Sequence, residues 1–576
     1  MRKALSIFLV LMLCISLAAC NGTTEPQEPG TDSPSSSSEV ASGENDSDAG
    51  DVPPEAAGEG GEAAWDAYSP YPETVSFTKG VVNSPGMFPE GQTYEDNPYT
   101  NYVKEQFNIE TQVAWEIDGE NYDQKIALSI ANGDIPDVML VNRKLFNQLV
   151  ENDLIQDMTE AYESCISPFL KEQYDTFGDR LFSEVSVDGK IMGIPSVSYH
   201  GGHNVLWIRQ DWLDAVGGEV PTTLDEVVEL ARIFMEKDPG GNGAGKTIGL
   251  TANPDVYSGY SNRMGLDTVF SSMGAYPGWW VMKDGTPTYG SVAPEMKPVL
   301  QLLSELYAEG VLDKEFALRK GEDMDALLAS GRLGMHFGVW WPAGGVTSAF
   351  ENDPEAEWTA VSAPVNADGK LAIPENDPVS QIIVVRKGYE HPEAIIKALN
   401  GGYDIMRGNG EAGAAAYAQY KDELPPWNAL PIAIDITYDD ALTRIYQDFE
   451  NALETGDASV MVTPGYTGAF ESVQRYLENP NQDWADVQTY QARIIGTGAA
   501  VADNIERVPV AFYGQTATMD SKWSALTKLE TETLVQIIMG EKPLDYFDEF
   551  VAQWYSLGGQ EIVDEIIAYR EERGMN

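Results

Sequence analysis

Several tryptophans lie in segments that are rich in glycine and proline. These segments contain Trp279-Trp280, Trp340-Trp341 and Trp427. A flat aromatic ring suits the apolar face of a pyranose, whose hydroxyl edge then needs partners such as Asp, Asn and Arg. The pattern favours a sugar-binding cleft, although an aromatic side chain can equally fill a core. Three other tryptophans fall within helical patterns and are predicted to lie in the core: Trp212, Trp523 and Trp554.

Residues 238–247 match two sequence patterns that are typical of ligand-binding loops. Residues 240–247 fit the glycine-rich expression of a phosphate-binding loop, which normally follows a strand and opens a helix. Here the segment follows a helix and leads into an extended stretch, so nucleotide binding is disfavoured. Asp238 and Asn242 stand at spacings used by calcium loops, but Gly240 and Lys246 occupy positions where acids are expected. An ordinary turn is favoured, with a calcium site at Asp238 and Asn242 as the alternative.

Catalytic motifs are hard to find in this sequence. His200 and His203 lack Cys or Glu at zinc-binding spacing, and no His-Glu-x-x-His helix or nucleophile elbow is present. With 91 acidic residues, no carboxylate pair can be singled out as a glycosidase dyad. We therefore predict no catalytic residues and no resident cofactor. A secreted polysaccharide-active enzyme, either a glycosidase or a lyase, stays as an alternative.

The chain of 576 residues is strongly acidic, with a formal net charge of -55. Binding to a phosphate backbone needs clustered Lys and Arg, so nucleic acid is excluded as a partner. The hydrophobic fraction of 43% allows a large core. Only three cysteines are present, which excludes a disulfide framework.

The first twenty residues have the features of a secretion leader. Arg2 and Lys3 precede an apolar run that is too short to span a membrane. Leu17-Ala18-Ala19-Cys20 resembles the lipobox of bacterial lipoproteins, which are cut before the cysteine and carry a diacylglycerol on its sulfur. The resemblance implies a signal peptide over 1–19, lipidation at Cys20 and a stable anchor in the lipid bilayer. A plain signal peptide with an incidental cysteine is the alternative.

The anchor would be followed by a tether over 20–66. Residues 21–66 hold 12 Asp and Glu and no Lys or Arg, with many Gly, Ser and Pro. Such a composition cannot offset the entropy of ordering, so we expect a disordered spacer.

Helical and extended patterns alternate in the rest of the chain. The first part predicts, in order, a strand near 74–77, a helix over 97–107, a strand over 109–115, a helix over 122–131 and a strand over 136–141. The alternation favours an α/β layer with partly parallel strands. Later helices are predicted from a capping box at Thr223 and Glu226, from Pro294 to a stop at Gly310, over 523–539 and over 544–554.

Five motifs follow one another along the chain at 131–138 (ANGDIPDV), 188–195 (DGKIMGIP), 207–213 (WIRQDWL), 331–335 (GRLGM, with Trp340-Trp341 behind it) and 512–554. In their order and spacing they resemble bacterial extracellular solute-binding proteins that serve carbohydrate ABC importers, in the long lipoprotein branch of Gram-positive bacteria. The resemblance implies an α/β fold with two lobes, of the type II periplasmic-binding-protein-like class. A hinge would join the lobes, and the ligand would lie in the cleft between them.

The resemblance also implies how the chain is divided between the lobes. Residues 67–195 and 372–508 would form lobe one, and residues 196–371 and 509–576 lobe two. Its implied partners are a carbohydrate, the transmembrane subunits of an ABC permease and the lipid bilayer, for a protein that acts as a monomer. The implied location is the outer face of a cell membrane. A binding protein for a peptide or another polar solute is a further alternative.

The ligand-binding residues are predicted from the aromatic segments described above and from the resemblance to the family. In the family the Trp behind the strand that ends near Met335 faces the cleft, which carries over to Trp340 or Trp341, and the position of Trp280 matches a recurrent aromatic. The other candidates follow crossovers, predicted strands or turns: Trp427, Tyr199, Asn204, Trp207 and Asn142.

Overall fold

The computed structural model describes residues 66–572, apart from 85, 199–203, 258–263, 342–348, 351, 422 and 462–465. The predicted leader, Cys20 and nearly all of the tether lie outside these residues, as does Tyr199. Within the described ranges, no helix combines the length and the apolar character that crossing a bilayer requires.

The strands are short and are spread along the whole described chain. In chain order they are β1 (Val75–Val82), β2 (Ile109–Ile117), β3 (Val138–Val141), β4 (Ser186–Val187), β5 (Lys190–Ile191), β6 (Ile194–Val197), β7 (Val205–Arg209), β8 (Trp280–Lys283), β9 (Thr286–Tyr289), β10 (Met335–Gly338), β11 (Trp358–Val361), β12 (Leu371–Pro374), β13 (Val379–Val385) and β14 (Ile505–Val508).

The α-helices account for most of the remaining regular structure. In chain order they are α1 (Pro98–Phe107), α2 (Tyr122–Asn132), α3 (Arg143–Glu151), α4 (Thr159–Cys165), α5 (Pro168–Asp175), α6 (Gln210–Val216), α7 (Leu224–Lys237), α8 (Asp267–Ser272), α9 (Met296–Glu309), α10 (Gly321–Ala329), α11 (Pro392–Arg407), α12 (Gly410–Tyr420), α13 (Ala441–Thr455), α14 (Thr467–Glu478), α15 (Trp484–Tyr490), α16 (Thr497–Ala500), α17 (Ala517–Ile538), α18 (Tyr546–Trp554) and α19 (Gln560–Glu572).

A five-stranded sheet with the order β2-β1-β3-β13-β6 forms the centre of the first core. Strand β1 pairs in parallel with β2 and β3, and β13 runs antiparallel to β3 and β6. Alternate residues of β1, including Phe77 and Val81, are buried, as the two-residue period of a strand requires. Helices α1 and α11 approach closely at Gly401, where a Cβ would lie 2.6 Å from Cε2 of Phe107.

A second core forms around an antiparallel sheet with the order β10-β7-β11. Leu206 and Ile208 of β7 contribute to it together with side chains from α7, α9 and the long helix α17. Trp212 and Trp554 are buried in this core, and Trp523 packs against it, as predicted for all three. The chain therefore builds two large apolar clusters that share no residue.

Helices α13 and α16 pack on the second sheet, and α14 packs on α13. Leu442 of α13 and Ala499 of α16 form a small cluster with Trp207 of β7 and with Trp340. The predicted boundary between the lobes near residue 508 assigned these helices to lobe one. That boundary stays a prediction.

Several local predictions are confirmed by hydrogen bonding and backbone geometry. The Thr223 hydroxyl accepts from the Glu226 backbone N–H at 3.3 Å, and the Glu226 carboxylate accepts from the Thr223 N–H at 3.0 Å. Gly310 ends α9 in the left-handed region with φ 83°. Helix α17 begins at Ala517 rather than at Trp523, because the Thr516 hydroxyl caps its first turn.

Candidate functional site

The carboxyl ends of β1 and β3 form the natural binding position of the first sheet. The chain leaves β1 for β2 on one side and later enters β3 on the other, which opens a crevice between the two connections. A cavity of about 360 Å³ lies there, lined by residues of β1, β3, β13 and the segment 427–433. We call this the β1/β3 cavity.

Lys79 lies in the wall of the β1/β3 cavity, on the buried face of β1. Its Nζ donates to the carbonyl oxygens of Leu430 and Pro431 at 2.8 and 2.9 Å, which joins the strand to the opposite wall. Burial lowers the pKa of this lysine to about 7, because a charged ammonium loses its hydration there.

Trp427 forms the aromatic part of the same cavity. It begins a 3₁₀ turn after Pro425-Pro426, and 47% of its surface is exposed. The side-chain oxygen of its neighbour Asn428 is buried and finds no hydrogen-bond donor among the described residues. Gln381 of β13 adds a second amide to the lining. An exposed ring beside unsatisfied and polar groups is the arrangement that a sugar face and a hydroxyl edge require.

Asn142 is hydrogen-bonded to a residue that lines the β1/β3 cavity. Its side-chain oxygen caps α3 by accepting from the Leu145 N–H at 2.9 Å, and its amide donates to the Asp123 carboxylate at 2.7 Å. Asp123 lines the β1/β3 cavity, whereas Asn142 does not. The structure therefore makes Asn142 a residue that orients Asp123.

A second aromatic group lies behind β10. Trp340 is buried and packs edge-to-face against Trp341, with 5.0 Å between the ring centroids, and 37% of Trp341 is exposed. The indole N–H of Trp207 donates to the Val339 carbonyl at 2.9 Å, so Trp207 supports the turn that carries this pair. The Arg493 guanidinium lies over the Trp340 ring, 5.4 Å from its centroid.

Trp280 and Asn204 lie neither in the lining of the β1/β3 cavity nor in the cluster around Trp340. The Trp280 ring is buried in the second core against Tyr289, Trp523 and Trp554, with centroids 5.1, 6.5 and 6.2 Å away. Asn204 is buried, and its amide faces the Gly265 carbonyl at 3.3 Å. Because the Trp280 ring is buried in the second core, it offers no exposed face on which a ligand could stack.

The glycine-rich loop after α7 is closed by its own hydrogen bonds. The Asp238 carboxylate accepts from the Thr247 hydroxyl at 2.6 Å and from the backbone N–H groups of Asn242 and Gly243 at 3.0 and 2.8 Å. These donors lower the pKa of Asp238, that of Thr247 most of all. In the described part of the chain, no three His, Cys, Asp or Glu side chains gather as a metal site would require. The loop geometry adds no support to the calcium alternative.

Residues 91–404, more than half of the 576 in the chain, match the model of a protein family described as bacterial extracellular solute-binding protein. The chain belongs to this family. The predicted membership of the bacterial extracellular solute-binding proteins is thereby confirmed.

Three curated relatives are similar to parts of this solute-binding protein. Lipoprotein LipO of Bacillus subtilis is 25% identical over 280 residues, which cover 48% of this chain and 53% of LipO. The polygalacturonan/rhamnogalacturonan-binding protein YtcQ of the same species is 26% identical, covering 40% and 44%. The fructooligosaccharide ABC transporter substrate-binding protein FusA of Streptococcus pneumoniae is 26% identical, covering 42% and 47%. The chain thus spans about half the length of the curated relatives it matches.

Solved structures support the fold over nearly the whole chain. A solute-binding protein associated with an HMO-binding ABC transporter of Bifidobacterium longum infantis aligns with a TM-score of 0.58 and 16% identity, over 86% of this chain and 98% of that one. Alginate-binding protein AlgQ2 aligns with a TM-score of 0.52 and 16% identity, over 88% and 99%. The predicted α/β fold with two lobes is confirmed.

Two site residues were missed by the sequence reasoning, although both left a signal. Lys79 occupies a position of the alternating strand 75–82 at which its neighbours on the same face are apolar. Arg493 lies in the stretch between Asp486 and Asp503, which has no acidic residue although the chain contains 91. The position of the lysine on an apolar strand face and the acid-free stretch around the arginine are both visible in the sequence.

Proposed function

We propose that this protein captures a carbohydrate, most simply an oligosaccharide, and delivers it to the transmembrane subunits of an ABC importer. The observation that carries the proposal is the exposed ring of Trp427 at the β1/β3 cavity, beside the unsatisfied oxygen of Asn428. A second exposed ring, that of Trp341, supports it. The names of YtcQ and FusA, which mention saccharides, point in the same direction.

Capture would occur by closure of the two lobes on the ligand. Contacts between elements of the two cores include the ion pair of Lys144 in α3 with Asp520 in α17, at 2.6 Å. Both side chains are about 40% exposed, and such a pair contributes about 1 kcal/mol or less. A contact this weak can break and form again during hinge motion, so the ligand contacts decide which state is populated.

We further propose that the helices 441–500 move with the second lobe. Leu442 and Ala499 pack against Trp207 and Trp340, and Ser362 donates a hydrogen bond to the Ala499 carbonyl. Under this proposal lobe one returns only over about 372–440, rather than over 372–508. The Trp340–Trp341 pair would then keep its surroundings during closure.

The protein would act outside the membrane and would not alter its ligand. Lipidation of Cys20 and a spacer over 21–66 would hold the two lobes near the permease, in keeping with the lipoprotein name of LipO. The alternative of a secreted glycosidase or lyase predicts new reducing ends or unsaturated products when glycans are incubated with the protein. Intact recovery of every bound saccharide is the outcome that we expect.

Calorimetric titration with a panel of neutral and acidic oligosaccharides tests the proposal. We expect Trp427→Ala to weaken the best ligand about fivefold or more, because one aromatic stacking contact contributes about 1 kcal/mol beyond area burial. Leu318→Ala is a matched control, since Leu318 is 79% exposed in a 3₁₀ turn of the second core. Binding of no saccharide, or equal affinity of the Trp427→Ala variant and the control, would contradict the site.

A further inference from the structure

Arg493 lies in an irregular turn that continues from α15 into α16. Residues Gln491–Gly496 form a π-helical turn, a conformation that is rare and is often found at functional sites. Gly496 of this turn packs directly on the backbone of Trp340, where a Cβ would lie 1.8 Å from the carbonyl oxygen. The turn therefore fixes Arg493 against the aromatic group behind β10.

Two aromatic rings cover the guanidinium of Arg493. Its central carbon lies 5.4 Å from the centroid of Trp340 and 4.9 Å from that of Tyr466. Cation–π contacts of this kind hold the flat faces of a guanidinium. Its N–H donors lie in the plane of the group, so the rings leave them available.

Carboxylates pair with most other arginines of the protein but not with Arg493. Among the described residues, eight arginines form ion pairs: Arg143, Arg180, Arg209, Arg232, Arg319, Arg386, Arg444 and Arg475. Over the same part of the chain, no carboxylate and no hydrogen-bond acceptor lies within bonding distance of Arg493, which is half-buried. In a chain with a net charge of -55, the described acidic residues thus leave this ring-covered guanidinium without a carboxylate partner.

We propose that Arg493 binds the carboxylate of an acidic saccharide, a uronic acid residue, whose ring lies against the exposed part of the Trp341 side chain. This inference rests on the proposed function and names its ligand class. A planar guanidinium with free in-plane donors matches a carboxylate in a two-point hydrogen-bonded pair. The acidic body repels anions in general, so an acidic ligand needs one local cation that is not already neutralised.

The test compares acidic probes with their neutral methyl esters. Trigalacturonate and trimannuronate, each beside its fully methyl-esterified form, are titrated calorimetrically into the wild-type protein, Arg493→Gln and Arg493→Lys. We expect the wild type to bind at least one acid form about tenfold or more tighter than its ester. Arg493→Gln should weaken that acid form about thirtyfold and leave the ester unchanged, because a charge-assisted pair is lost. The affinity of Arg493→Lys for the acid form should lie between those of the wild type and Arg493→Gln, since lysine keeps the positive charge but lacks the paired N–H donors of the guanidinium.

Arg475→Gln is the matched control. Arg475 lies on α14 and already holds both oxygens of Asp486, at 3.0 and 2.7 Å, so its removal should leave both probe affinities unchanged. Melting temperatures of all variants in the absence of ligand show whether Arg493→Gln still folds, and Arg493→Lys keeps the test decisive if it does not.

Three results would overturn the inference. They are a wild type that binds the esters as well as the acids, an acid preference that persists in Arg493→Gln, and binding of none of the probes. In each case a neutral oligosaccharide whose affinity depends on Trp427 would leave the proposed function standing. Failure of neutral and acidic saccharides alike would reject both.

Discussion

Asp404 provides a test of the electrostatics of the first core. It lies in α11 with 3% of its surface exposed, and one carboxylate oxygen accepts from the Asn409 side-chain amide at 2.5 Å. Burial raises the pKa of this carboxyl from 3.8 to about 6, against a smaller opposite effect of the Asn409 hydrogen bond. Between these values the native state binds more protons than the unfolded state. Its stability therefore falls as the pH rises from about 4 to about 6, and the penalty stays constant above that.

The size of this penalty follows from the shift. A change of about 2 pKa units corresponds to about 3 kcal/mol of unfolding free energy. Asp404→Asn removes the charge and keeps an oxygen that can accept from Asn409. We therefore expect the variant to be more stable than the wild type by up to about 3 kcal/mol at pH 7.5, and by almost nothing at pH 4.

Urea denaturation at both pH values measures this difference. Asp457→Asn serves as the control, because the exposed Asp457 carboxylate caps a 3₁₀ turn and the Ser459 hydrogen bonds lower its pKa. Its contribution is present at neutral pH and is lost as the pH falls, so this variant should be destabilised at pH 7.5 and not at low pH. A gain from Asp404→Asn that is equal at both pH values would refute the reasoning, as would a loss at pH 7.5.

Two further substitutions test packing and buried charge. Arg319→Met should cost about 3 kcal/mol in chemical denaturation, because it leaves Asp313 buried without the guanidinium that lies 2.5 Å from its carboxylate; an unchanged midpoint would contradict this. Gly496→Ala should lower the melting temperature and weaken saccharide binding, since the added Cβ clashes with the Trp340 carbonyl. Gly468→Ala is its control, because none of the described residues has an atom within 4 Å of a Cβ there. Equal behaviour of the two glycine variants would show that the clash is relieved without cost.

Local signals in the sequence predicted local structure well. The capping box at Thr223 and Glu226 and the stop at Gly310 are short-range hydrogen-bonding patterns, and the structure confirms them. The parallel pairing of β1 with β2 and β3 follows from the alternation of helix and strand. These features depend on neighbours a few residues apart or on the order of elements, both of which a sequence displays.

The candidate site was harder to predict from the sequence, because its residues are brought together from distant segments of the chain. Trp280 follows a glycine–proline turn and looked like a cleft residue, yet its ring meets Trp523 and Trp554, which lie far along the chain. The β1/β3 cavity combines Lys79 with Trp427 across more than three hundred positions. Nothing in the spacing of such residues shows that they meet, whereas an apolar environment for a lysine is visible in the strand pattern itself.

The distance between the two lobes, with and without ligand, tests the central claim most directly. Spin labels at Lys171→Cys on α5 and Lys528→Cys on α17, in a Cys165→Ala background, report on the two cores through positions that are exposed. We predict that the tightest saccharide of the panel shortens the mean distance between the labels, and that its dilution restores the longer distance. A distance distribution that stays the same under saturating saccharide would contradict capture by closure of two lobes.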